Sequence, residues 1–153
     1  MRNDICPDLA RLVAAHPAVF RGEPPAMESH LPAGWYELVD KLCIDIETLL
    51  GSDDLALFKC RQIKQKSGTL RFHWRFNEIG WLPIDVIGVE PALAAGLELR
   101  RPTDERVERL HGLVQAAVGA SAGICETCGR PGSLVVRDRW RMTRCREHSS
   151  SQS

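Results

Sequence analysis

Three cysteines and a histidine near the end of the chain stand at metal-ligand spacing. In CETCGRPGSLVVRDRWRMTRCREH, residues 125–148, Cys125 and Cys128 enclose two residues, and so do Cys145 and His148. Two thiolates three positions apart can converge on one ion. Gly129 follows the second and tolerates the left-handed backbone that such turns need. Residues 129–144 separate the two pairs, which is room for a hairpin. Pro131-Gly132 reads as a turn, Leu134–Val136 as one strand, and Trp140 and Met142 as the return that brings Cys145 and His148 to the first pair.

Three thiolates and one imidazole match a closed tetrahedral zinc site, with iron as the alternative metal. Four protein ligands leave no open position for a substrate, so the ion is structural. Zinc with three thiolates carries a net charge of −1, and Arg130, Arg144 and Arg146 lie close in sequence to offset it. A thioredoxin-like C-x-x-C has a strand before it and a helix starting at it; here a helix precedes it. A hairpin of about 24 residues buries little apolar surface, whereas structural zinc contributes roughly 10–16 kcal/mol of apparent binding energy.

The elements that must position these ligands follow from periodicity. Pro7–Ala15 predicts a short helix with proline in its first turn. His16–Gly34 is rich in proline and glycine and predicts loop. Trp35, Leu38, Val39, Leu42, Ile46, Leu49 and Leu50 form one helical stripe that Gly51 ends, with Cys43 beside it as a buried thiol. LFKCRQIKQKSGTLRFHWRF predicts a β-hairpin turning at Ser67-Gly68, with Leu70, Phe72, Trp74 and Phe76 on one face. WLPIDVIGVE and PALAAGLELRRP predict short strands and a turn. Thr103 caps a helix whose stripe is Val107, Leu110, Val114, Ala117 and Val118. The fold class is α+β: a small antiparallel sheet packed against two to three helices, with a C-terminal zinc-ribbon-like hairpin. The boundaries read as 1–122 for an α+β domain, 123–148 for the zinc-ribbon-like module and 149–153 for a polar, disordered tail.

Composition constrains function next. The 153 residues carry no net charge, so bulk attraction to nucleic acid or membrane is excluded and any binding depends on local charge. Asp4, Asp8 and Pro17 break any signal-peptide pattern, and no apolar run spans a membrane; the chain reads as cytoplasmic, with reduced cysteines and no membrane partner. Charge is segregated in sequence. Trp35–Asp54 holds six acids against Lys41, and residues 59–75 hold Lys59, Arg61, Lys64, Lys66, Arg71 and Arg75 with no acid. With His73, these form a candidate partner-binding face. The alternative is internal pairing with the acidic helix. The module itself carries six arginines against three acids, which suits either nucleic-acid contact or solubility. His16, His30 and His111 are isolated in sequence and read as surface or loop histidines; Cys6 and Cys60 lack partners at ligand spacing. Asp85 and Glu90 have no second acid beside them, and no G-x-S-x-G, P-loop or H-E-x-x-H occurs.

GWYELVDKLCIDIETLL, QIKQKSGTLRFHW and CETCGRPGSLVVRDRWRMTRCREH, in that order, resemble a family of small zinc-ribbon proteins of phages and prophages in proteobacteria. The pattern is a G-W-x-x-L-V-x-x-L-C helix, a K-x-K-x-G-x-L-R-F hairpin and a terminal C-x-x-C-G-x-P-G…W…C-x-x-H, and it covers roughly half the chain. The resemblance implies a mobile-element setting and no catalytic residues. Together these features predict a non-enzymatic, zinc-stabilised binding protein that occupies a macromolecular partner. That partner is expected to be a host protein or nucleoprotein complex, with inhibition of a host defence complex in the manner of an anti-CRISPR protein. The alternatives are direct nucleic-acid binding as a regulator, and a zinc-stabilised nuclease with His73 as its loose catalytic candidate.

Overall fold

A computed structural model of the protein describes residues 5–77 and 102–150. The strands expected within 81–100, with Asp85 and Glu90, lie outside the described residues. The architecture is α+β. Helix α1 (Pro7–Ala15) leads into a short α2 (Pro17–Phe20), then a loop, a 3₁₀ turn (Ala33–Trp35) and α3 (Tyr36–Leu55). Strands β1 (Phe58–Lys66) and β2 (Thr69–Phe76) form one antiparallel sheet. After α4 (Asp104–Ser121), β3 (Ser133–Arg137) and β4 (Trp140–Arg144) form a second, and α5 (Arg146–Ser150) closes the described chain.

Most of the predicted stripe residues are buried, with Leu38, Leu49, Val107 and Val118 only partly so. Trp35 of the 3₁₀ turn and Val39, Leu42, Ile46 and Leu50 of α3 face the core, where Leu110, Val114 and Ala117 of α4 join them. Gly51 breaks α3 with a left-handed φ of 67°. Thr103 caps α4 by accepting a hydrogen bond from the Arg106 backbone N–H at 3.3 Å. Two local expectations change. α2 forms inside the predicted loop because Pro17 is preset for a first helical turn and Val19 and Phe20 bury there. Ser149 and Ser150 extend α5, since the Ser149 N–H bonds the Cys145 carbonyl at 2.8 Å.

A two-stranded hairpin is marginal alone. Here Phe58, Ile63, Leu70 and Phe72 bury one face, and both outer edges are covered. Along β1, His30 donates its N–H to the Ile63 carbonyl at 2.9 Å, and the Ser29 hydroxyl accepts the Ile63 N–H at 3.0 Å. Along β2, the Ser121 hydroxyl accepts the Leu70 N–H at 2.8 Å. The turn has positive φ at both Ser67 (56°) and Gly68 (83°), the primed geometry that matches strand twist.

His16 is a correction. It is buried, not a surface residue: Nε2 lies 2.6 Å from Asp40 Oδ1 and Nδ1 lies 2.8 Å from Glu47 Oε1. Asp40 and Glu47 are seven apart on α3, so they share a face two turns long. The ring between them ties the α1–α2 corner to α3.

The zinc-ribbon-like hairpin is bonded to this body. Trp35 is fully buried, and its indole N–H donates to the Ile124 carbonyl at 2.8 Å. The Gly34 N–H donates to the Glu126 carbonyl at 2.8 Å. A Cβ at Gly34 would overlap the Cys125 carbonyl and stand 2.7 Å from the Gly129 nitrogen, so only glycine allows this backbone contact. Gly34→Ala is therefore expected to destabilise the protein by about 2–3 kcal/mol in chemical denaturation. Trp35→Phe, which orphans one carbonyl, costs about 1–2 kcal/mol. Equal stability of wild type and Gly34→Ala would show that the contact does not exist in solution.

Candidate metal centre

The chain reversal between Ile124 and Pro131, which bridge in antiparallel fashion, carries the first ligand pair. The Gly129 N–H bonds the Cys125 carbonyl at 2.9 Å, and Gly129 itself has φ 79°. This tight knuckle turns both sulfurs to one side. The second pair sits where β4 ends and α5 begins. Cys145 and His148 are three apart on one helical turn, so their side chains share a face. The hairpin between them is pinned by five cross-strand partners from Ser133↔Arg144 to Arg137↔Trp140. Its reversal lies at Asp138-Arg139, not at the expected Pro131-Gly132, which instead lead into β3: the Gly132 N–H bonds the Gly123 carbonyl at 2.9 Å.

The ligand atoms of Cys125, Cys128, Cys145 and His148 all lie within 4.8 Å of one another. Cys128 Sγ is 3.7 Å from Cys145 Sγ, and His148 Nδ1 is 3.6 Å from Cys125 Sγ and 3.1 Å from Cys145 Sγ. A tetrahedral zinc ion with bonds near 2.3 Å to sulfur and 2.0 Å to nitrogen sets such edges at about 3.5–3.8 Å. Two of the three separations match, and the third is shorter by a few tenths. The donor set therefore fits zinc, held by four protein groups with Nδ1 as the imidazole donor. What such an ion supplies is cross-linking of the chain.

Electrostatics favours a charged ligand at the knuckle. Burial pushes the Cys125 thiol up, but the backbone N–H groups of Cys145, Cys128 and Thr127 outweigh it and bring the pKa from 9.0 to about 6. At Cys128 the Arg130 N–H pulls the thiol down, while desolvation and the sulfurs of Cys125 and Cys145 push it up, and the net direction is upward. Outside the knuckle, burial raises both core thiols, Cys60 to about 12 and Cys43 further. Cys6 is half-buried against Leu31, whose N–H reaches its sulfur at 3.4 Å.

The seven candidate partner-binding residues lie on the β1–β2 hairpin, and the ladder sorts them. Lys59 stands opposite Arg75, Lys64 opposite Arg71, and His73 opposite Gln62; Arg61 is the extra residue of a bulge between Cys60 and Gln62. Lys64, Lys66, Arg71 and His73 line a groove of about 650 Å³ between the sheet and α4, with no acid among the described residues of its lining. Lys59, Arg61 and Arg75 lie outside that groove. His111, which reads as isolated in sequence, lines it from α4 together with Gln115. Their i, i+4 spacing marks a shared helix face, but only the packing of α4 beside β2 aims that face at the groove.

Internal pairing of the two charge blocks does not occur among the described residues. Asp40 and Glu47 hold His16, Asp45 pairs with Lys41 at 3.0 Å, and Asp54 pairs with Arg106 at 2.5 Å. No described acid pairs with a basic residue of the hairpin. No helix among the described residues is long and apolar enough to cross a membrane. Comparison with protein-family models, with curated proteins and with solved structures gives no match to this chain.

Purified protein is expected to carry one zinc per chain, released by a mercurial thiol reagent and lost on Cys125→Ser. Thiolate ligands bind with proton release, so affinity falls on acidification. The folded Cys125 value lies below its ordinary 9.0, so the thiolate's contribution is complete above 9.0 and is lost as pH falls through about 6. Chelator competition between pH 7 and 5 should therefore show declining affinity, with more than one proton taken up per ion released. In the zinc-loaded native protein, iodoacetamide should leave Cys43 and Cys60 unmodified until denaturant is added. Metal-free protein whose C-terminal hairpin is equally protected from proteolysis would refute the structural role.

Proposed function

We propose that this protein is a non-enzymatic binding protein, stabilised by zinc, whose basic hairpin face occupies a phosphate-bearing macromolecule. One observation carries the reading. Lys59 opposes Arg75 and Lys64 opposes Arg71 across the ladder, with no acid paired to any of them among the described residues. Like charges placed directly opposite destabilise a sheet by several tenths of a kcal/mol per pair. A polyanion relieves that repulsion, and the groove beside it adds His73 and His111 as donors. Phosphates on nucleic acid, alone or within a nucleoprotein complex, meet this requirement.

Occupancy needs no catalytic group. His73, the candidate for a nuclease base, faces Gln62 and shares its strand face with Arg71 and Arg75, not with a carboxylate. A general base of that kind needs a partner to orient it. The resemblance to phage and prophage proteins favours a host nucleoprotein as the partner, blocked by occupation of its nucleic-acid-contacting surface. Cellular action of that kind places the protein in the cytoplasm.

Affinity for nucleic acid should fall linearly on a log–log plot against salt, because each phosphate contact releases counterions. Arg71→Ala/Arg75→Ala should reduce the slope by roughly 1.4–1.8, at about 0.7–0.9 per lost contact. Co-purification from host lysate with and without nuclease separates the partner classes: capture that vanishes with nuclease assigns nucleic acid, and capture that survives assigns the protein component. A double variant with unchanged salt slope and unchanged capture would overturn the reading.

A further inference from the structure

The β3–β4 hairpin ends in a feature that zinc closure does not require. Trp140, at the tip, is 74% exposed, the most exposed large apolar side chain among the described residues. Leu134 (53%) and Val136 (58%) are exposed on the same hairpin, so three of six such side chains concentrate in one short element. An element folded by a metal has no need of surface hydrophobes, and keeping an indole in water forgoes a large burial term. Cations crowd the tip: Arg139 precedes Trp140 in the turn, and Arg141 follows it on the alternate face of β4, both exposed. The two-residue turn adds strain. Asp138 and Arg139 have φ 48° and 73°, and the second of these positions strongly favours glycine. Arg139 holds that left-handed backbone at some conformational cost and is exposed at the tip.

The tip's strand is joined to the basic hairpin. The Gln65 side-chain amide donates to the Arg141 carbonyl at 2.6 Å, and the Thr143 hydroxyl donates to the Gly68 carbonyl at 2.6 Å. The turn of the first hairpin thus seats on β4, three residues from Trp140 at Thr143. From these observations we infer that Trp140 is a base-stacking site for single-stranded nucleic acid, with Arg139 as a phosphate contact in the adjoining turn. The inference rests on the proposed function and specifies its ligand. An indole stacks on any base, but base faces are accessible only where the strand is unpaired. Charge complementarity selects a polyanion, and the exposed π-face selects one bearing bases over an acidic polypeptide.

The test uses the full zinc-loaded chain with a fluorescein-labelled dT 20-mer and a 20-base-pair duplex at low salt, read by anisotropy. Trp140→Ala should weaken dT binding about tenfold and duplex binding less than twofold, and Trp140→Phe should recover most of the loss. Zinc content and circular dichroism of each variant establish that the fold is retained. Equal loss on both ligands, no loss on the dT 20-mer, or polyglutamate competing as well as unlabelled dT would overturn the inference. Wild type that binds neither oligonucleotide overturns the proposed nucleic-acid function as well. Loss in Arg71→Ala/Arg75→Ala with retention in Trp140→Ala overturns the stacking site alone.

Discussion

The structure depends on how a short hairpin with a metal-ligand set at its base is held against the protein core. Zinc at that set would supply closure, on the order of 10–16 kcal/mol of apparent binding energy in small structural sites. Orientation comes from elsewhere. Trp35 sits fully buried at the start of α3 and fixes the Ile124 carbonyl, while Gly34 lets two backbones touch at the knuckle. The residues that hold the metal and those that hold the hairpin in place are therefore adjacent: Ile124, Cys125 and Glu126 meet Gly34 and Trp35. A side chain at 34 would push on the same backbone that positions the Cys125 sulfur.

The same economy governs charge. Every acid of α3 with a partner described here is engaged within the helical layer, by His16, by Lys41 or by Arg106. Among the described residues no acid pairs with the basic residues of β1 and β2, which stand opposite one another across the ladder. Net charge near zero thus conceals two differently used groups of charges. Exposed pairs such as Lys41–Asp45 contribute little to stability. The buried His16 bridge between Asp40 and Glu47 contributes more, because loss of the ring would leave two partly buried carboxylates together.

Much of this was legible in the sequence, for physical reasons. Helical and strand periods dictated the faces of α3, α4 and β2, and Cys-x-x-Cys with Cys-x-x-His dictated the ligand set, because both depend on spacing a few residues apart. What spacing did not reveal are contacts between distant segments. His16 looks like a loop residue until α1 and α3 pack, 24 positions separating it from Asp40. His111 looks isolated until α4 lies beside β2. Pro131-Gly132 carries a strong turn composition, yet the knuckle's own bonds leave it extended beside Ile124 and move the reversal to Asp138-Arg139. Turn propensity is local, and here the metal ligands and the Gly123 carbonyl override it.

The metal-ligand set connects to the candidate binding face through that hairpin. Glu126 lies within the first ligand pair and accepts the Thr143 N–H at 2.6 Å, and the Gln65 amide also reaches it, at 3.4 Å. Thr143, almost fully buried, holds the Gly68 carbonyl. A Cβ at Gly68 would come within 2.7 Å of Leu134, so the turn of the basic hairpin fits against β3 and β4 with no side chain to spare. If the module lost its metal, β4 would lose its anchor at Cys145, and the contacts of Thr143 with Glu126 and Gly68 would loosen together. A metal held by the four ligands would fix the geometry that relates Lys64, Lys66 and Arg71 on one hairpin to Trp140 on the next. It would then act on the candidate binding face through backbone position.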